Sequence, residues 1–227
     1  MLLTGHRGFI GSRLAKFFPG HLGIDTKDGK DLLTCQLPKG VDLIYHLAAH
    51  ASVENSWKDP VRDMENISTT VRLAHEYQDA KIVFASSGAM INPSSPYGFS
   101  KKCSTEYLQM FHKNAVVLVF PNIFGGPRSV VDIFKGRDEV TIYGDGKQIR
   151  DYVHVDDIVM GLLRAKDWKP GTYYLGSGKG TSVLELAKGK KINFEPARKE
   201  ARESILKNTT PDWSPTISVL DYINAKD

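Results

Sequence analysis

Apolar and polar positions follow two different periods along this chain. Short, nearly continuous apolar runs occur at residues 1–4, 21–24, 41–49, 81–85 and 115–120, each of strand length and bounded by turn-forming residues. Between them, apolar residues recur at three- and four-residue spacing. One such stretch leaves Gly11 through residues 12–18, one covers about 61–77 with Met64, Ile67, Val71 and Ala74 on a single face, and one runs from about 97 to 112. The last follows Ser94-Ser95-Pro96, a capping serine and then a proline suited to the first helical position. Strand and helix in alternation predict an α/β fold, a doubly wound parallel sheet of Rossmann type with ligands at the carboxyl ends of its strands.

Beyond Pro121 the units shorten. A helix is predicted at 131–135, a strand at 140–143, a turn at Gly144-Asp145-Gly146, a helix at 155–165 and a strand at 172–175, and the tail from Lys191 is broken by Pro196, Pro211 and Pro215. The expected organisation is a dinucleotide-binding domain over 1–120, to which about 152–176 returns, with a small substrate-binding annex made from 121–151 and 177–227.

Chemistry first appears at Thr4-Gly5-His6-Arg7-Gly8-Phe9-Ile10-Gly11. Glycines at 5, 8 and 11 between a strand and a helix suit a tight turn, close approach of a pyrophosphate and close strand–helix packing, with the helix start facing the phosphates. Such a trio alone joins strands to helices in many folds. Asp25 changes the reading, because it ends the next apolar run twenty residues after Gly5, where a carboxylate binds ribose hydroxyls and repels a 2′-phosphate. NAD is therefore favoured over NADP.

Composition narrows the class further. The 227 residues are 41% hydrophobic, enough to bury a core, and a net charge of +4 with a pI near 8.9 describes a mildly basic surface. Blocks such as Lys188-Gly189-Lys190-Lys191 lack accompanying arginine–aromatic clusters, so no nucleic-acid partner is expected. No apolar run approaches membrane-spanning length, and Cys35 and Cys103 make no disulfide framework. A cytoplasmic protein with no membrane partner and no metal site is the expectation.

Ser87, Tyr97 and Lys101 carry the reactive groups. Four residues apart on a helix, Tyr97 and Lys101 share a face, where an ammonium group is expected to lower the phenol from its ordinary value near 10 and let it act as a base. Ser87 ends the preceding strand, within reach of the same substrate oxygen. A Tyr–Lys pair at this spacing is ordinarily a surface pair; its place after a dinucleotide turn and a Ser-Ser strand end gives it meaning.

Taken together, these residues resemble the extended short-chain dehydrogenases of the NAD-dependent epimerase/dehydratase family, across nearly the whole chain. The resemblance rests on Thr4-Gly5 through Gly11, His46-Leu47-Ala48-Ala49, Ser52-Val53 with Ser56 and Pro60, and Asn66 with Thr70. It continues through Ser86-Ser87, Tyr97-Gly98 with Ser100-Lys101, Pro121-Asn122 with Gly125 and Pro127, the run from Arg150 to Asp157, and Gly176-Ser177-Gly178. It implies NAD contacts at Gly5, Arg7, Gly8, Phe9, Ile10, Gly11, Asp25, Asp31, Leu32, Leu47, Ala48, Ala49, Asn66, Tyr97 and Lys101. It further implies Tyr97 as acid/base, Lys101 on the nicotinamide ribose, Ser87 on the reacting oxygen, and Asn122 and Arg150 on a substrate diphosphate. Arg198 and Ser204 match a family motif that lines the hexose pocket, with one residue fewer than usual. Residues 61–77 and 97–112 match helices that form a homodimer interface in the family.

Departures from the pattern matter for the reaction. Only residues 88–96 separate Ser87 from Tyr97, Val119 and Tyr174 stand where arginine and asparagine are frequent, and Gly88-Ala89 replace the acids that family dehydratases place after the serine. The resemblance thus implies NAD-dependent 4-epimerisation of a nucleotide sugar, a UDP-hexose or UDP-N-acetylhexosamine. The alternatives are a nucleotide-4-keto-sugar reductase of the GDP-fucose synthase type, suggested by the Gly-His-Arg-Gly turn, and a non-catalytic dinucleotide sensor of the same fold.

Overall fold

The computed structural model describes residues 1–197 and 202–225, which divide into two compact units: 1–119 with 162–173, and 120–161 with the chain from 174 on. In chain order the first stretch contains β1 (Leu2–Thr4), α1 (Gly11–Leu14), β2 (Leu22–Ile24), β3 (Leu43–His46), α2 (Val53–Ser56), α3 (Pro60–Glu76), β4 (Lys81–Ser87), α4 (Pro96–Phe111) and β5 (Ala115–Phe120). There follow β6 (Asn122–Phe124), α5 (Val130–Lys135), β7 (Glu139–Tyr143), β8 (Ile149–His154), α6 (Val155–Ala165) and β9 (Gly171–Tyr174). The chain finishes through β10 (Gly180–Ser182), α7 (Val183–Leu186), β11 (Lys191–Glu195), β12 (Glu203–Ser204) and α8 (Val219–Asn224).

The first unit is built on a six-stranded sheet in the order β2-β1-β3-β4-β5-β9. β1 pairs in parallel with β2 and β3, setting Thr4 opposite both Ile24 and His46, and β3 pairs in parallel with β4. After β1 the chain crosses to one side, and after β2 to the other, so the winding reverses between β1 and β3; in such sheets ligands bind at that reversal. All six residues of β5 are buried. A strand covered on both faces reads as an unbroken apolar run, and each fully buried aliphatic such as Leu118 contributes about 1.5–3 kcal/mol.

α1 is a single turn, continued by a 3-10 turn over Ala15–Phe17, where the apolar spacing predicts a helix through Phe18. Pro19 explains the early end, because its ring disfavours helical geometry in the residue before it, and Phe18 adopts φ −130°, ψ 70°.

α3 and α4 start alike. Asp59 accepts the N–H of Arg62 and Ser95 that of Gly98, each before a proline at the first helical position. Their buried faces are polar at the amino ends: Asp63, Asn66 and Thr70 on α3, and Ser100, Lys101, Ser104 and Thr105 on α4. Asn66 Nδ2 donates to Ser100 Oγ at 3.1 Å, and at the far ends the His112 ring meets the Tyr77 carbonyl at 3.1 Å. Sequence offsets of 34 and 35 at these two contacts show that the helices run in the same direction in a constant register.

Buried polarity is satisfied nearby through His46, fully enclosed between Thr4 and Thr70. The Thr4 hydroxyl accepts from Ala48 N–H and so donates to His46 Nδ1, while the Thr70 hydroxyl donates to Asn66 O and so accepts from His46 Nε2–H. These roles fix a neutral ring protonated on Nε2. Burial, with the Lys101 charge, lowers its pKa to about 3.

The second unit centres on β8, which pairs in parallel with β6 and β12 and antiparallel with β10. Phe124, Val131, Phe134, Ile142, Tyr152 and Leu186 are among its core residues. Two acids of the 150–157 motif serve packing. Asp151 accepts Ser177 N–H at 3.0 Å and Leu206 N–H at 3.2 Å, and Asp157 accepts Thr216 and Ile217 N–H, both at 3.0 Å.

Candidate functional site

Within the first unit, a cleft of about 310 Å³ opens at the reversal of the winding, lined by residues that follow β1, β2 and β3 and by one face of α3. Gly5, Gly8, Asp25, Asp31, Leu32, Leu47, Ala48, Ala49 and Asn66, all singled out from sequence, lie on it. Gly5 sits at φ +70°, and a Cβ there would stand 2.7 Å from the backbone nitrogen of Ala48. The turn after β1 is thereby drawn against the strand end that follows β3.

Asp25 is fixed by backbone. One carboxylate oxygen accepts Arg7 N–H and the other Lys27 N–H, both at 2.9 Å. A carboxylate has about four lone-pair positions, so each oxygen retains capacity for a further donor such as a ribose hydroxyl. Asp31 accepts Leu33 N–H at 2.8 Å and holds the cleft-lining loop in a local turn. From α3, Arg72 fastens the same loop by donating to Leu32 O and, at 2.8 Å, to Cys35 O. No sequence signal marked Arg72, whose role depends on contacts across 40 and 37 positions.

Beside the glycine turn, the Arg7 guanidinium pairs with Asp28, which also meets His6 Nε2 at 2.6 Å. Those hydrogen bonds hold the Asp28 carboxyl below the usual carboxylate range, that to Arg7 contributing most. Phe9 is partly exposed under the Arg13 guanidinium, 4.7 Å from its ring centre, and Ile10 and Gly11 open α1. The cleft also exposes groups not chosen from sequence, among them Lys27, His50, Arg62 and Glu65. They are polar side chains on two loops and a helix face, where polarity alone carries no positional signal.

Ser87, Tyr97 and Lys101 come from the end of β4 and the first two turns of α4. Ser87 accepts Ala89 N–H at 3.3 Å, and Lys101 Nζ donates to Ala85 O at 2.8 Å above the Phe84 ring. Burial pushes the phenol above its ordinary value, opposed by the Ser87 side chain and reinforced by Asp63. This reverses the expected lowering by Lys101. The lysine itself is 3% exposed, and burial brings its pKa down to about 7. Near neutrality Lys101 is thus poised between its two protonation states.

In the second unit Asn122 opens β6 and donates to Asp151 O at 3.2 Å. Arg150 on β8 and Ser204 on β12 are register partners, adjacent across the ladder. Arg198 lies outside the described residues.

The donor set and turn geometry fit an adenine dinucleotide: a glycine turn with no room for a side chain at its base, a carboxylate with spare acceptors after β2, and an anchored loop. Residues 1–176 match the NAD dependent epimerase/dehydratase family. A Methanocaldococcus jannaschii protein is 31% identical over 98% of this chain and 86% of its own length, and the UDP-glucose 4-epimerase of Mycolicibacterium smegmatis is 32% identical over 80% and 74%. The crystal structure of Thermotoga maritima UDP-glucose 4-epimerase with UDP-glucose superposes with a TM-score of 0.80 at 27% identity, covering 98% of this chain and 95% of that one. Thermus thermophilus UDP-glucose 4-epimerase in complex with NAD gives 0.75 at 27% identity, covering 91% and 90%. The chain belongs to the NAD dependent epimerase/dehydratase family, and its cofactor is NAD.

Proposed function

We propose that the protein epimerises a UDP-hexose at C4. The observation that carries this reading is the placement of Tyr97 and Lys101 one turn apart at the amino end of α4, with the Ser87 side chain near enough to lower the phenol and no acidic side chain at 88 or 89. Bound NAD supplies the hydride acceptor and donor. Tyr97 takes the proton from O4 as C4 is oxidised and returns it when the 4-keto sugar is reduced from its other face. Ser87 hydrogen-bonds the same oxygen, and Lys101 lies one helical turn from the phenol. No group is needed for elimination or decarboxylation. The first unit binds NAD in this reading, and Asn122 and Arg150 of the second bind the diphosphate, Arg150 through its guanidinium fork.

A UDP-N-acetylhexosamine is included among the substrates, because Ser204 beside Arg150 is small and the loop from Ser87 to Tyr97 is short. We also propose a homodimer through the outer faces of α3 and α4, where Val61, Phe99, Met110 and Phe111 are 50–77% exposed, and a cytoplasmic setting for two unpaired cysteines. No described helix is long and apolar enough to cross a membrane. Against a reductase of the GDP-fucose synthase type stand Asp25, which opposes NADP, and Gly88 in place of a cysteine.

Incubation with NAD and either UDP-glucose or UDP-galactose, followed by chromatography of the sugars, tests the proposal. Interconversion is expected, and Tyr97→Phe should lower the rate by about 10²–10⁴-fold with NAD binding retained. Near-native turnover by Tyr97→Phe, or none by the wild type on any UDP-hexose, rejects it.

A further inference from the structure

Asp63 is the one carboxylate on the buried face of α3. It is 3% exposed, and its Oδ1 has no hydrogen-bond partner among the described residues. An orphaned acid is costly to enclose, and a first-turn acid that served only the helix dipole would face water. Its position follows from the helix register. The contacts of Asn66 with Ser100 and of Tyr77 with His112 hold α3 and α4 parallel at an offset of 34 to 35 residues. One turn before Asn66, that offset sets Asp63 level with Tyr97 and Gly98, within a turn of Lys101.

We propose that Asp63 is a positioning residue for the Tyr97–Lys101 pair, its buried carboxylate being the fixed counter-charge that keeps Lys101 an ammonium ion while Tyr97 exchanges its proton. This deepens the catalytic reading given above and rests on it.

The groups facing Asp63 fit the role. Lys101 and Tyr97 face it from α4, His50 from the loop after β3, and Asp59 and Arg62 from its own helix start. On α2 the titratable side chain is Glu54, which pairs with Lys58 in solvent at 3.8 Å. His50, Arg62 and Lys101 favour the ionised carboxyl, whereas burial and Asp59 oppose it. In return the carboxylate raises both Lys101 and Tyr97. Without Asp63, burial is left unopposed at Lys101, which discharges at lower pH, and the phenol loses a repulsive neighbour. Both ionisations that bound activity move toward acid.

The experiment follows Lys101 directly in the NAD-bound protein. ¹³C NMR of protein labelled at lysine Cε, with the resonance assigned by its loss in Lys101→Met, gives its titration midpoint without any substrate. Asp63→Asn should move that midpoint down by about 1 pH unit, and Asp63→Ser should do the same should the asparagine variant fold poorly. Asp63→Glu, which restores the charge, should return it to within a few tenths of a unit. The alkaline limb of the turnover profile should move by the same amount. An unchanged Lys101 midpoint in the neutral variants overturns the inference, as does an equal shift in Asp63→Glu. A midpoint that moves as stated in a protein inactive on every UDP-hexose leaves Asp63 in this role and discards the substrate reading instead.

Discussion

A Cβ placed on Gly11 would lie 2.1 Å from the carbonyl oxygen of Gly5. That atom is backbone, so no side-chain rotation relieves the clash, and the turn that joins β1 to α1 must open. Gly11→Ala is therefore expected to cost about 2–4 kcal/mol and to abolish NAD binding. Gly8→Ala, whose Cβ would meet the same oxygen at 3.1 Å, should be milder. Chemical denaturation and NAD titration of both variants check the ranking. Equal stability of Gly11→Ala and the wild type would refute it.

Asp25 offers a second test. With its oxygens held by Arg7 and Lys27 N–H at 2.9 Å, the carboxylate cannot turn aside from a 2′-phosphate. Even about 2 kcal/mol of repulsion, modest for charges at contact range, gives NAD a preference of about 30-fold or more over NADP. Asp25→Ser retains an acceptor for Lys27 N–H while removing the charge, and should shrink the ratio several-fold. Dissociation constants for both cofactors decide it.

What could be read from sequence and what could not divide by distance along the chain. The glycine turn, Asp25 and the Tyr97–Lys101 pair are readable because each is a pattern within one turn or at one strand end. Asp63 and Arg72 look like ordinary charges on an amphipathic helix; burial of one and the loop contacts of the other exist only once distant segments pack on α3. β8 was legible as a motif and not as a strand. Its sequence, Ile-Arg-Asp-Tyr-Val-His, places a charged pair where apolar residues mark a strand, and Asp151 is compatible with a buried position through the amides of residues 177, 178 and 206 and the Ser177 hydroxyl.

His46 links stability to pH. In the folded protein its pKa is about 3, against 6.5 for the ordinary imidazole. The unfolded chain therefore binds the extra proton first as pH falls, and stability rises with pH between these values. This contribution is complete above about pH 6.5 and declines below it. From pH 7 to pH 5 the loss from this one group is about 2 kcal/mol. Urea unfolding of the wild type and His46→Gln at both pH values isolates it: the variant is less stable at pH 7 and has a shallower acid slope. Equal slopes would remove His46 from the account.

We propose that the choice of sugar turns on Ser204. The family resemblance assigns the hexose pocket to the residue four positions beyond the acid of an Arg-x-Gly-acid motif, and here the motif is one residue short. The register between β12 and β8 pairs Ser204 with Arg150, the proposed diphosphate ligand. Neighbouring strands lie about 4.8 Å apart, so a side chain at 204 is within reach of whatever the guanidinium holds. A serine leaves space for a 2-acetamido group, whereas a tyrosine fills it. UDP-N-acetylglucosamine is therefore expected to be accepted at least as well as UDP-glucose, and Ser204→Tyr to lower kcat/KM for the acetamido sugar about 10-fold or more, in line with 1–3 kcal/mol for steric discrimination in a pocket, while sparing UDP-glucose. Because Ser204 is near the strand edge, a solvent-facing serine would leave the ratio of the two specificity constants unchanged on substitution. That ratio, measured in both proteins, distinguishes a residue that selects the sugar from one that merely ends the ladder.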